Sequence, residues 1–356
     1  MASQEAHAHT TILLNGEEVP DDAFQGFAVD RDMFQPDMAK IELSNQGSLH
    51  SSHKIGDSVE IKVGDGGGTS IYKGEITGMS PNWHGAQKTS ITILAMNKLH
   101  RLLRGRKSKT YTDKTDQQIL NEVLGTYGLS LEWKHDATIT YKHVYQHNLT
   151  DLEFLRMRAG RLGCHVWCVD TKVFVKQPNL GEAQSLELSV DKATGSGDTA
   201  VRWFRPKLDS SAVVKTVTVR GWDPEKKEEI VGKATASSSP LGSKSASSNT
   251  LGSEETFTVD QPIWSKQEAD AIAKGRLLDA SLSYITGEVE ISGNPTVELG
   301  KHVKITVKSD NTDPFSGKYY VMGIRHHNRV EKNQTAKTGE GGYHTVLRVA
   351  RDGQDS

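Results

Sequence analysis

Three residues whose side chains can bind a metal ion lie close together in the chain: Cys164, His165 and Cys168. Thiolates and imidazoles are ligands that zinc prefers in proteins. The sequence from Val166 to Val169 is predicted to form a strand, and alternate residues of a strand point to opposite faces. The two cysteines would then share one face and His165 would lie on the other. We therefore predict two buried free thiols, because cysteine packs as a small hydrophobic residue.

Two other features could do chemistry. His326 and His327 are adjacent, so on a strand they would face opposite ways and could not readily share an ion. The glycine-rich segment 64–68 lacks the Gly-Lys-Ser/Thr ending of a phosphate-binding loop, and the strand pattern on both sides of it predicts a hairpin turn. No acid/base pair or nucleophile has a recognisable spacing. The sequence thus predicts no catalytic residue, no metal site and no cofactor.

A run of basic residues between Lys98 and Lys109 contains no acidic residue. It either links two structural units through solvent or contacts an acidic protein partner. The candidate contact residues are Arg101, Arg104, Arg106 and Lys107. Nucleic acid is not an expected partner, because the run lacks interleaved aromatic residues and the formal net charge of the chain is -2, whereas nucleic-acid-binding domains are strongly basic.

The composition narrows the class of protein. A length of 356 residues allows two or three compact units. Two cysteines cannot form a disulfide framework. No apolar run approaches the ~18 residues of a membrane span, and no Lys or Arg precedes Ile12, so we expect neither membrane insertion nor a secretory signal. The 33 glycines and scattered β-branched residues predict strands joined by turns.

Local sequence patterns predict both strands and helices. Alternation of apolar and polar residues predicts strands at 40–44, 59–63 and 90–93, and residues 211–220 also have strand character. Capping pairs followed by apolar residues at helical spacing predict helices that begin at Thr115, at Thr150 and near Ser265. With two short strands after the second helix, residues 111–180 are predicted to be a small α/β unit.

Comparison of the chain with itself reveals similar strand-like segments in the same order near both ends. Their offset stays near 245 residues until the last loop. The matching pairs are 41–44 with 289–292, 56–63 with 300–307, 76–79 with 321–324, and 90–94 with 344–347. This agreement predicts a β domain that occurs twice, with the α/β unit between its copies.

This arrangement resembles the baseplate hub proteins of contractile injection machines. They include the phage late control D proteins, the tail hubs of T-even-like phages and the N-terminal part of the type VI VgrG spike proteins. The resemblance lies in four stretches within residues 38–350: 56–59 with the return strand 72–76, 99–103 leading into 115–120, 146–156, and 161–164.

The predicted fold class is α+β, mainly β. It has two duplicated β-barrel-like tube domains, an inserted small α/β domain, and a helix-containing insertion in the second half. The predicted ranges are 1–105 for the first tube domain, 106–200 for the α/β domain, 201–232 with 283–356 for the second tube domain, and 233–282 for the insertion. The Ser/Ala/Gly-rich stretch from Ala234 to Ser253 is predicted to be a loop that buries no core.

The resemblance implies a structural, non-enzymatic hub. It would be a homotrimer whose six β domains join a sixfold inner tube to a threefold spike. Its partners would be the inner tube protein, baseplate wedge or tail-core proteins, and a spike on a separate chain, because no needle repeat precedes Ser356. It would be made in the bacterial cytoplasm and assembled into a phage tail or injection particle. The alternatives are a tail-associated cell-wall hydrolase and a glycan-binding module; surface aromatic residues typical of the latter are scarce.

Overall fold

The computed structural model describes most of the chain. The described residues are 9–45, 48–84, 88–190, 201–223, 226–236, 238–245, 253–258, 263–308, 313–329 and 342–355. The helices are α1 Leu49–Ser52, α2 Asp116–Gly125, α3 Asp151–Arg161 and α4 Lys266–Leu282, with 3-10 helices at Asp21–Ala23 and Lys98–Leu103. No helix within these ranges is both long and apolar enough to cross a membrane.

Strands dominate the fold. The first twelve are β1 Thr10–Leu14, β2 Glu17–Glu18, β3 Phe24–Asp32, β4 Met38–Ser44, β5 Ser58–Val63, β6 Thr69–His84, β7 Lys88–Met96, β8 Lys107–Thr115, β9 Ser130–Lys134, β10 Thr140–Leu149, β11 His165–Val169 and β12 Lys172–Lys176. The others are β13 Leu186–Ser189, β14 Val201–Leu208, β15 Val214–Asp223, β16 Glu228–Thr235, β17 Lys244–Ser245, β18 Ser253–Thr258, β19 Ile285–Ser292, β20 His302–Thr306, β21 Gly317–Arg329, β22 Gly342–Arg351 and β23 Gly353–Gln354.

One curled sheet of thirteen strands contains strands from both halves of the chain. Its main path runs β14-β19-β22-β21-β3-β4-β7-β6-β5-β1-β2, and β20 joins it beside β21 and in turn pairs with β13. The apolar residues of the period-2 pattern, such as Ile41, Ile93, Val289 and Leu347, are buried. The alternation that predicted these strands therefore identifies the face that packs into the core.

Two series of strands within this sheet follow the same order. One is β3-β4-β7-β6-β5-β1 and the other is β14-β19-β22-β21-β20-β13. Both series contain register shifts at matching positions. The shift between Phe24 and Gly26 in β3 matches the shift between Val201 and Trp203 in β14. The shift between Ile76 and Gly78 in β6 matches the shift between Val321 and Gly323 in β21. The series differ in their last pair, which is antiparallel for β1 and β5 and parallel for β13 and β20.

The segment between the two series forms the α/β unit. β8 and β10 form a ribbon, β11-β12-β9 form a small sheet, and α2 and α3 bury their apolar faces in a common core. Both helices begin with the predicted capping boxes, Thr115 with Gln118 and Thr150 with Glu153. The alternation analysis missed β8, β9 and β10, because β8, for example, buries only Tyr111 among nine residues.

A third unit divides the chain differently from the predicted ranges. β15 pairs with β16 and β18, and Val217, Val219 and Ile230 pack against α4 rather than against the large sheet. The predicted boundary at residue 232 therefore falls inside β16. The boundary at residue 200 likewise separates β13 from β20, its partner in the large sheet. Neither pairing has a local signal, since the partners are distant in sequence.

The stretch from Ala234 to Ser253 corrects one expectation. Leu241 is 3% exposed and belongs to the main core, so the stretch does bury apolar surface. The backbone N–H of Leu241 donates to the Asp352 carboxylate at 3.2 Å, and the Leu241 carbonyl accepts from Arg351 at 2.9 Å. Residues 246–252 lie outside the described part of the chain. One apolar residue in a polar stretch is too weak a pattern to reveal such an anchor.

Candidate assembly surfaces

Among the described residues, the open strand edges of the large sheet include those of β6 and β14. The first half of β6 pairs with β5 and its length from Glu75 onward pairs with β7, so the span 78–84 has a neighbour on one side only among the described residues. Within the same ranges, β14 pairs only with β19. An open edge offers unpaired backbone groups to another strand.

Exposed apolar side chains lie on both open edges. Trp83 on β6 is 60% exposed, and Leu208 on β14 is 39% exposed. On β14, Phe204 packs edge-on against Tyr319 with ring centroids 5.8 Å apart, as expected for a packing anchor. Trp222 on β15 is also exposed, at 58%. Large apolar groups on an open strand edge are typical of an interaction surface.

The basic run contacts acidic groups of its own chain. Arg101 forms an ion pair with Glu75, and burial, which would raise the pKa of Glu75, is outweighed by hydrogen bonds from Arg101 and His100 that hold this pKa below its usual value. Arg106 pairs with Glu153 at 3.1 Å and Lys107 with Asp151 at 2.5 Å. Of the four candidate residues, Arg104 alone has no ion pair within the described chain, and it is exposed.

Cys164 and Cys168 lie in the core of the α/β unit, and burial raises the pKa of each thiol to about 12. His165 points to the other face, where its Nδ1 lies 3.3 Å from the Tyr320 hydroxyl and its ring packs on Phe34. The three side chains are therefore not brought together. Among the described residues, no group of three His, Cys, Asp or Glu side chains is placed to hold a metal ion.

A cleft of about 630 Å³ lies where the two strand series and the α/β unit meet. Asp37 lines it, and burial raises the pKa of this carboxyl to about 7, which is suitable for a general acid. The carboxylate is held 3.6 Å from Arg31 and accepts from the backbone N–H of Asp32. Tyr320 also lines the cleft, and its hydroxyl lies 3.3 Å from His165 Nδ1. Burial raises the pKa of this hydroxyl, which opposes its activation as a nucleophile.

The two adjacent histidines of β21 lie on opposite faces of the sheet, at its contact with β3. His326 is fully buried, stacks on Tyr343, and has its Nδ1 2.9 Å from the Tyr343 hydroxyl and 3.2 Å from that of Thr345. His327 packs instead beside His344. Burial, reinforced by the charges of Arg31 and His327, lowers the pKa of His326 to about 3.

Acid is expected to weaken the fold through His326. Because its folded-state pKa lies below its usual value, the ring stays neutral in the folded protein while it gains a proton in the unfolded chain. Stability from this group is complete above about pH 6.5 and falls toward pH 3, by up to ~1.4 kcal/mol per pH unit. His326→Phe preserves the stacking and removes the titration. The check is the difference between wild-type and variant unfolding free energies from pH 3.5 to 7; a constant difference contradicts the prediction.

A family model described as the Alg8 N-terminal domain matches residues 6–329. The chain belongs to this family. A search of curated proteins finds no match.

Solved structures share the fold of this Alg8 N-terminal domain protein. A tail protein from Neisseria meningitidis aligns with a TM-score of 0.72 and 13% identity over 97% of both chains. A prophage tail protein from Shewanella oneidensis aligns with a TM-score of 0.70 and 12% identity over 98% of this chain and 100% of its own. A component of the Escherichia coli type VI secretion system aligns with a TM-score of 0.63 and 12% identity, over 96% of this chain and 76% of its own. At these identities the likeness establishes the fold.

Proposed function

We propose that this protein is the structural, non-enzymatic hub of a contractile tail or injection particle. The observation that carries the proposal is the strand-for-strand agreement of the two series, which includes the register shifts of β3 with β14 and of β6 with β21. Such agreement is expected of one β module that occurs twice. Three copies would present six equivalent modules, the number needed to join a sixfold tube to a threefold spike.

The structures with this fold support that setting. Two are described as tail proteins. The third is described as a type VI secretion component with similarity to T4 bacteriophage tail proteins, and a further one is a VgrG complex from Francisella with a TM-score of 0.54. We infer from these likenesses a protein made in the bacterial cytoplasm and assembled into an extracellular or secretion particle.

The proposed partners are other proteins of the particle. The module ring would stack on the inner tube protein and carry a spike protein. The α/β unit would contact wedge or tail-core proteins. Arg104 is the proposed contact residue within the basic run, because Arg101, Arg106 and Lys107 already form ion pairs inside the chain.

Native mass spectrometry tests this proposal. With spike and tube partners present, we expect a species of three times 39.1 kDa and its complexes. A stable monomer under those conditions contradicts the proposal.

Arg104→Glu is expected to leave the trimer intact and reduce binding of an acidic partner. Lys134→Glu, a charge reversal elsewhere on the α/β unit, is the control; equal binding by both variants contradicts the assigned contact.

A further inference from the structure

The two strand series are joined inside the chain by a seam between β3 and β21. Seven residue pairs form it, from Gly26 opposite Arg329 to Asp32 opposite Gly323. The seam uses the part of β21 that extends beyond its contact with β20. One strand of the first series thus pairs with a long strand of the second.

The counterparts of these two strands are the open edges of β14 and β6. β14 occupies in the second series the place of β3, and the span 78–84 of β6 occupies in the first series the place of 323–329 in β21. The common register shifts align the residues individually: Phe27 corresponds to Phe204, and Asn328 corresponds to Trp83. The internal seam is therefore a template for a second seam that one chain cannot close by itself.

We propose that β14 of one copy pairs antiparallel with β6 of a second copy, in the register of the internal seam. This inference rests on the proposed function, because it identifies the surface by which hub copies meet. Phe204 would lie opposite Trp83, and Leu208 opposite Met79. The exposed Trp83 and Leu208 would each gain an apolar neighbour across the seam, and cross-strand pairs of this kind stabilise sheets.

The seam between copies differs from the internal seam at its centre. There Pro206 would lie opposite Pro81, whereas the internal seam has Val29 opposite His326. Proline has no N–H, and within sheets its nitrogen faces an open edge. Opposed residues on antiparallel strands exchange two N–H···O=C bonds or none, so this pair loses both. The seam between copies is consequently weaker than the seam within the chain, and assembly is expected to depend on concentration or on the spike and tube.

Restoring the two missing donors tests the role of the prolines. Pro81→Thr combined with Pro206→Val is expected to lower the protein concentration at half-assembly by roughly tenfold or more, because two net hydrogen bonds are regained per seam. Mass photometry over a dilution series measures this concentration. Pro20→Val, at an exposed proline outside both edges, is the control. An unchanged or higher half-assembly concentration in the double variant overturns this part of the proposal.

Cross-linking tests the register directly. Ser80→Cys with Lys207→Cys places two thiols opposite each other across the seam and at exposed positions, so mild oxidation is expected to yield covalent multimers. Ser80→Cys with Arg202→Cys is the out-of-register control. Equal cross-linking of both pairs, or a trimer by native mass without any cross-link, overturns the seam and leaves the hub function standing. A monomer by native mass, with partners present and without cross-links, overturns both.

Discussion

Replacing Gly275 by alanine is expected to destabilise the protein by about 2 kcal/mol, because it overpacks a backbone contact between α4 and the end of α3. A Cβ at Gly275 would lie 2.5 Å from the backbone nitrogen of Gly163 and 2.6 Å from the carbonyl carbon of Leu162. Backbone atoms cannot move aside as a flexible side chain can. In the middle of a helix, alanine is otherwise preferred over glycine by ~1 kcal/mol, so intrinsic helix propensity predicts the opposite sign.

Gly160→Ala in α3 is the matched control for this prediction. A Cβ at Gly160 would meet nothing within 4 Å, so this substitution is expected to stabilise the protein by ~0.5–1 kcal/mol through helix propensity. Chemical denaturation of both variants measures the difference. If Gly275→Ala proves as stable as Gly160→Ala, the α/β unit is not held against α4 by this contact.

Replacing Arg158 by methionine is expected to cost about 3–4 kcal/mol of stability, because it leaves a carboxylate buried without its cation. Arg158 is 3% exposed, and its Nε donates to Asp116 Oδ1 at 2.5 Å. The Tyr141 hydroxyl donates to the other oxygen of Asp116 at 2.9 Å, and the guanidinium lies over the Tyr141 ring. Removing the cation therefore disturbs a network that links α3, α2 and β10.

A double-mutant cycle separates the ion pair from packing. Asp116→Asn in the Arg158→Met background removes the buried charge, so the double variant is expected to lose less stability than the sum of the two single variants. Urea unfolding of the four proteins provides the coupling energy. Simple additivity, or a loss below 1 kcal/mol for Arg158→Met alone, would show that the carboxylate is not dependent on Arg158.

Features that depend on nearby residues were predictable. The capping boxes at Thr115 and Thr150 formed as predicted, because each requires only a side chain and the backbone three residues away. The glycine segment 64–68 forms the hairpin turn between β5 and β6. Strands β4, β5 and β7 followed from period-2 alternation, since burial of one face has a direct signature in the sequence. Their counterparts β19, β20 and β22 followed from the recurrence of similar segments.

For the candidate surfaces, the sequence identified the basic run but not its internal ion pairs. Arg101 meets Glu75 and Arg106 meets Glu153, and neither partner is near in sequence. The open edges of β6 and β14 were missed for a related reason. An edge is defined by the neighbour a strand lacks, and no residue type records that. Exposed Trp83 and Leu208 become informative only once the strand order is known.

The sequence by itself determined where the three longer helices and many of the strands lie, which faces these elements bury, and that similar segments recur near both ends. The tertiary structure decided how the pieces join: β21 pairs with β3 to unite the two series, β13 adds to the large sheet in parallel, and Gly163 meets Gly275. The physical reason is the distance along the sequence between the residues that interact. Local elements form from interactions within a few residues, whereas these joints depend on the packing of surfaces far apart in the chain.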